Sequence, residues 1–306
     1  MPREGSSCYA EGVPTVADGR LRGIDATKQI RVVTAICTET VREGCRRHGL
    51  RGVEAVVLGR SLIAACLLAT LTKREDERTR IAVQSGGAIR SILVDARGEG
   101  TVRGCLTSRL GSPIDYDGEG IGAFLGQGQL VVTRDLGLPR PYQGVVPLAT
   151  GEIDDDLERY LSGSEQLPSV LRCRVVTGTS GEIVRAAGVL CQTFPGAPIE
   201  VLDPVRAALA GIDDLLRTDR TVHDLMGFAL GGGEFEAMAE SPLSYFCGCG
   251  RERAMSVVST LGAEDIEKLS TEQESTEVRC HFCGDVYTLT AADLRELAAA
   301  LRDSRS

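Results

Sequence analysis

Apolar positions fall into three regimes along the chain. Thr27 to His48 places Ile30, Val33, Ala35, Ile36 and Val41 among charges, which predicts an amphipathic helix ending at Gly49. Val53 to Leu71 is apolar nearly throughout and predicts a helix buried in protein. It carries Glu54 and Arg60, and a bilayer span needs ~20 mostly apolar residues, so a membrane crossing is not expected. The period then shortens. Arg80 to Gln84 and Ile89 to Val94 read as strands joined at Gly86-Gly87. Thr101 to Leu106, Ala123 to Thr133, Val170 to Thr177 and Ile183 to Thr193 also read as strands, and Asp154 to Leu161 as a helix. Residues 1–26 carry little pattern and read as a loose start.

After Pro195-Gly196-Ala197-Pro198 the strand pattern stops. Val205, Leu209, Ile212 and Leu216 recur at helical spacing over Pro204 to Arg217. Thr221 to Leu230 follows, with Thr221 and Asp224 placed as a capping-box variant, and Gly231-Gly232-Gly233 ends it. Helices this short are marginal in water, so Leu209, Ile212, Leu216, Leu225 and Met226 must rest on another surface. Further on, Gly262 to Leu269 predicts a short helix using Ile266 and Leu269. Thr290 is placed to cap a helix that presents Leu294, Leu297 and Leu301. The expected class is α+β: a β-rich N-terminal domain with packed helices over 1–195, a short helical linker over 196–240 and a small C-terminal unit over 241–306.

Composition narrows the function. The chain has 306 residues, 34 basic against 43 acidic, for a net charge of -9, which disfavours bulk attraction to nucleic acid or anionic membranes. Met1 to Ala10 has no apolar stretch suited to a signal peptide. Together with 11 cysteines, an odd number, this predicts a reducing, cytoplasmic setting. Cys8, Cys37, Cys45, Cys66, Cys105, Cys173 and Cys191 lie far apart and read as small core residues, although their role is open.

The other four cysteines carry chemistry. Cys247-Gly248-Cys249 is followed by 30 residues and then Cys280-His281-Phe282-Cys283-Gly284. Two thiolates from each of two tight turns can close the tetrahedron that zinc prefers. The expected ligands are therefore Cys247, Cys249, Cys280 and Cys283, holding one Zn2+ per chain. His281 is not needed to complete the set. Four sulfurs leave no open position for water, so the site is structural or redox-active rather than hydrolytic. Zinc-bound cysteines are thiolates, the form that oxidants attack. Residues 241–306 hold 7 basic and 11 acidic residues, a net of -4, opposite to the sign usual for a nucleic-acid zinc ribbon. A zinc-ribbon module binding protein or nucleic acid remains the alternative class.

No enzyme is expected. Gly98-x-Gly100 and Gly120-x-Gly122 lack the spacing of a dinucleotide fingerprint, and no phosphate loop or nucleophile elbow occurs. Only three histidines exist, His48, His223 and His281. Asp154-Asp155-Asp156 reads as the acidic start of a helix rather than a metal site.

The chain resembles the redox-switched 33-kDa heat-shock holdase family of bacteria. The resemblance rests on Cys247-x-Cys249 and Cys280-x-x-Cys283, on Gly248 to Arg253, and on Leu58-Gly59-Arg60-Ser61-Leu62. Thr101-Val102-Arg103-Gly104 and Gly188 to Gly196 add to it. It covers nearly the whole chain from about residue 20, and the seven further cysteines are its departure. The resemblance implies an ATP-independent cytoplasmic chaperone, compact and inactive when reduced and zinc-loaded. Oxidation would form disulfides Cys247–Cys249 and Cys280–Cys283, release zinc, unfold the linker and favour a homodimer over the reduced monomer. Unfolding client proteins would then be held, with Leu209, Ile212, Leu216, Leu225 and Met226 as candidate client-binding positions.

Overall fold

The computed structural model describes residues 17–72, 74–116, 118 and 120–303. Strands β1 (Gly19–Asp25) and β2 (Ile30–Ile36) lead into helices α1 (Thr38–His48) and α2 (Gly52–Ala69). A meander follows: β3 (Arg78–Ser85), β4 (Ile89–Arg97) and β5 (Thr101–Ser108). After it come α3 (Gly122–Leu125), β6 (Gly128–Asp135), β7 (Tyr142–Pro147) and α4 (Ile153–Ser164). Strands β8 (Ser169–Thr177) and β9 (Ile183–Thr193) precede three short helices, α5 (Asp203–Leu209), α6 (Ile212–Leu216) and α7 (Val222–Ala229). Next are β10 (Phe235–Pro242) and the two-residue β11 (Ser244–Tyr245). The C-terminal unit holds α8 (Arg251–Val258), α9 (Ala263–Glu272), β12 (Ser275–Arg279), β13 (Val286–Thr290) and α10 (Ala291–Asp303).

Two large sheets enclose α2. One has five antiparallel strands in the order β10-β1-β2-β9-β8. The other has six, in the order β11-β5-β4-β3-β6-β7, with β11 parallel to β5. Helix α2 is long and apolar enough to cross a bilayer by composition, yet 94% of it is buried inside the protein. It packs on β3, β4 and β5 of one sheet and on β8 and β9 of the other. Gly59 makes the close crossing possible: a Cβ there would stand 2.7 Å from both Val41 and Val175.

Arg60 is a buried charge on this helix. Its guanidinium donates to Glu152 at 2.6 Å and to Asp154, which also takes Arg174 at 2.7 Å. Desolvation opposes ionisation of Asp154, but the two guanidiniums win and hold its carboxyl below the usual range. Asp156 caps the preceding turn by accepting from Ala149 and Gly151 at 2.9 Å. The acidic triplet is thus a helix start, as expected, and also the buried partner of Arg60.

The five-stranded sheet is covered on both faces. Val33, Ala35, Ala186 and Leu190 face α2. Val32, Ile36, Ala187 and Val189 face the layer made by α5, α6 and α7. This corrects the single helix expected over Thr27 to His48. Because β2 is buried on both sides, it shows a β-branched run instead of alternation, and the helix begins only at Thr38. The loose start expected over residues 1–26 is also corrected in part: Gly19–Asp25 is a strand held between β2 and β10. Ala123 to Thr133 splits into α3 and β6, and Pro204 to Arg217 splits into α5 and α6 around Gly211. Strand β7 was not expected at all.

Leu209, Ile212, Leu216, Leu225 and Met226 are each at most 1% exposed and lie in the cluster between the helical layer and the sheet. Thr221 and Asp224 form the capping box that starts α7. Strand β10 pairs along the whole of β1, so the sheet runs through the position where linker and C-terminal unit were expected to meet.

Candidate metal centre

The four cysteines arrive on two short segments. Cys247 and Cys249 lie in the extended segment between β11 and α8. Cys280 and Cys283 lie in the loop that joins the β12–β13 hairpin. That loop is tight: Gly284 N–H donates to Cys280 O at 2.9 Å and Cys280 N–H to Asp285 O at 2.8 Å. Gly284 turns at φ +75°, the left-handed region glycine tolerates. All four sulfurs lie within 4.8 Å of one another. Cys247 Sγ stands 3.8 Å from Cys280 Sγ, and Cys249 Sγ stands 3.2 Å from Cys283 Sγ. A tetrahedron with Zn–S bonds of ~2.3 Å has sulfur–sulfur edges of ~3.8 Å. Four soft donors at that spacing suit a thiophilic divalent metal. Exposed His281 is not among the clustered groups.

The electrostatics around the sulfurs differ. Burial pushes the Cys247 and Cys283 thiols up. Burial also opposes ionisation at Cys280, but the N–H groups of Cys283 and Phe282 turn the balance and bring that thiol down. Cys249 Sγ lies 3.0 Å from the Tyr287 hydroxyl.

The centre is docked against the first sheet-forming region by residues that sequence reasoning missed. The Tyr245 hydroxyl donates to Phe282 O at 2.7 Å, and His48 Nε2 lies 2.8 Å from the same oxygen. Arg47 pairs with Asp285 at 3.1 Å. Arg103 Nη1 reaches Cys247 Sγ at 3.5 Å while its guanidinium lies 4.1 Å from the Phe282 ring centroid. The only signal available was Arg103 inside the Thr101 to Gly104 segment, whose spacing says nothing about a partner 144 positions away.

Six of the other cysteines, Cys37, Cys45, Cys66, Cys105, Cys173 and Cys191, are buried. Cys8 lies outside the described residues. A hydrogen bond to Cys66, then burial, pushes the Cys37 thiol far up. Burial pushes Cys45 to about 12 and Cys105 to about 11. Cys173 and Cys191 are raised for the same reason. Cys37, Cys45, Cys105, Cys173 and Cys191 are therefore poor nucleophiles in the folded state.

The unit carrying the four cysteines has a small core of its own, in which buried Val258, Ile266, Leu289, Leu294 and Ala298 cluster. Thr290 and Asp293 exchange hydrogen bonds at the start of α10, as expected, with Thr290 N–H donating to Asp293 at 2.7 Å.

A family model described as Hsp33 protein matches residues 18–290. A 33 kDa chaperonin of Desulforamulus reducens is 31% identical over 291 residues, covering 94% of this chain and 99% of the relative. A 33 kDa chaperonin of Acaryochloris marina is 33% identical over 296 residues, covering 94% and 98%. The crystal structure of the 33 kDa chaperonin of Thermotoga maritima superposes with a TM-score of 0.84 at 28% identity, covering 94% of this chain and all of that one. The chain belongs to the Hsp33 family, a family of molecular chaperones rather than enzymes.

Proposed function

We propose that this protein is a redox-regulated, ATP-independent holdase that protects unfolding proteins from aggregation under oxidative and heat stress. The observation that carries the reading is the gathering of four thiols, from segments 30 residues apart, into one cluster within 4.8 Å. Cys247, Cys249, Cys280 and Cys283 hold one Zn2+ in the reduced chain, and the ion supplies a structural cross-link with no open position for catalysis.

A small unit whose core is a cluster of five buried apolar side chains depends on that cross-link. Structural zinc contributes ~10–16 kcal/mol of apparent binding free energy, as much as the ~5–15 kcal/mol stability of a typical domain. When peroxide oxidises the site, two thiolates give up two electrons for each S–S bond formed. The peroxide takes up those electrons and two protons and leaves as two waters. The four ligands are consumed, zinc is released, and the C-terminal unit unfolds. Disulfides Cys247–Cys249 and Cys280–Cys283 follow from the family resemblance. Sulfur contacts also run between the two motifs, 3.8 Å for Cys247–Cys280 and 3.2 Å for Cys249–Cys283, so these cross-pairs compete with them.

The helical layer of α5, α6 and α7 then loosens. It uncovers Leu209, Ile212, Leu216, Leu225 and Met226, now covered, to unfolded client proteins. The setting is cytoplasmic, with a reduced monomer and an oxidised homodimer. Light scattering of a heat-denaturing client protein tests the proposal. The peroxide-treated chain suppresses scattering at a near-equimolar ratio and the reduced, zinc-loaded chain does not. Equal suppression by both forms, or by neither, overturns the proposal.

A further inference from the structure

Arg103 touches both cysteine motifs. Its Nη1 reaches Cys247 Sγ at 3.5 Å, and its guanidinium plane covers the Phe282 ring, between Cys280 and Cys283, at 4.1 Å. On its other side Nη2 donates to Asp95 at 3.1 Å. Asp95 is already occupied: Arg80 grips it with two bonds of 2.6 and 3.0 Å. Its side chain is 4% exposed, so two arginines share one buried carboxylate. That leaves a surplus positive charge on the sheet, facing the sulfur cluster.

We propose that Arg103 is a positioning residue, a charge-reading clasp that keeps the C-terminal unit docked on the six-stranded sheet only while the cysteines are thiolates. The inference rests on the metal-site reading above. Four thiolates around a divalent cation carry a net charge of about -2, which complements the surplus on Arg80 and Arg103. Two disulfides carry none. After the oxidation described above, the Arg103–Cys247 contact changes from a charge-assisted bond to a charge beside a neutral sulfur. The remaining docking contacts do not respond in this way. Tyr245 and His48 hold the carbonyl of Phe282, and Arg47 pairs with Asp285, groups whose charge the oxidation does not change. Arg103 is therefore the contact through which the chemical state of the sulfurs reaches the sheet. Phe282 gives it a second grip, since a cation over an aromatic face is attracted to the ring.

The test is hydrogen exchange on the full-length chain, comparing the parent, Arg103→Met and Arg103→Lys, with zinc measured on the same samples. The reporters are the amides of residues 280–286 and the Phe246 amide, which donates to Val102 O at 2.9 Å across the docking seam. In the zinc-loaded parent they exchange slowly. In the peroxide-treated parent they exchange at least roughly tenfold faster, the size expected for losing a charge-assisted contact. Arg103→Met retains one zinc and exchanges fast at these sites before any oxidant is added. Arg103→Lys, which keeps the charge but not the planar fork, falls between and is more sensitive to salt. Protection in β3 and β4 serves as the folding control. A zinc-loaded Arg103→Met chain with parental protection overturns the clasp alone. A reduced parent without zinc overturns the metal-site reading instead.

Discussion

Replacing Asp154 with Asn tests the scaffold that must survive oxidation. The Arg60 and Asp154 side chains are 6% and 2% exposed, and the pair ties α2 to α4, while Arg174 brings in β8. In the parent, two arginines meet two carboxylates, Glu152 and Asp154. The variant leaves Arg60 with Glu152 alone, at 2.6 Å, and Arg174 without a buried partner. Removing one member of a buried pair costs about 3–5 kcal/mol. Arg174 is 28% exposed and can turn toward water, which places the expected cost near the lower end, about 3 kcal/mol. With a urea m-value of about 3 kcal/mol/M, the midpoint for the N-terminal region falls by about 1 M. The pH dependence has a definite sign. The folded carboxyl of Asp154 lies below its unfolded value of about 3.9, so its contribution is full above that value and is lost as pH falls through the folded one. The gap between parent and variant is therefore full at neutral pH and narrows below about pH 4. A neutral-pH midpoint within about 0.3 M of the parent, or a gap that widens in acid, would refute the reasoning.

Further outcomes follow from the same structure. Cys280→Ser loses zinc to a chelator that the parent resists, because a neutral hydroxyl replaces a thiolate, while His281→Ala keeps its zinc; metal titration with a colorimetric chelator reads both. Leu225→Ala removes a fully buried side chain from the layer over the five-stranded sheet and costs about 2–5 kcal/mol. That layer then opens without oxidant, and the reduced variant already suppresses client aggregation; a variant as inactive as the reduced parent would count against the helical layer as the client surface. Gly188→Ala drives a methyl into Ile63 and Leu67 of α2 and costs about 1–3 kcal/mol in denaturant unfolding.

The four-cysteine cluster was legible because its information is local. Two short motifs with the right donors specify a tetrahedron wherever the chain brings them together. The β3–β4 hairpin at Gly86-Gly87, the α2 core helix and the Thr221 capping box were legible for the same reason. Strand β2 was not, because a strand buried on both faces loses the alternation that marks one. Strand β10 was not, because Phe235–Pro242 is mostly exposed and is held by backbone pairing to a strand more than 200 positions earlier. Arg103, Tyr245 and His48 were invisible as docking residues because their partners are set by tertiary packing. The acidic triplet shows the middle case: its placement at the start of α4 was readable, but the guanidinium of Arg60 that buries Asp154 was not.

The central claim is that four cysteines, and no others, form a metal-held redox switch. Zinc content and free thiols, counted on one sample before and after mild peroxide under native conditions, test it most directly. The account predicts one zinc per reduced chain, then loss of that zinc together with four thiols, mapped to Cys247, Cys249, Cys280 and Cys283. The buried thiols Cys37, Cys45, Cys66, Cys105, Cys173 and Cys191 remain reduced. Zinc that stays bound after those four thiols are lost, or oxidation that falls first on the buried six, would contradict it.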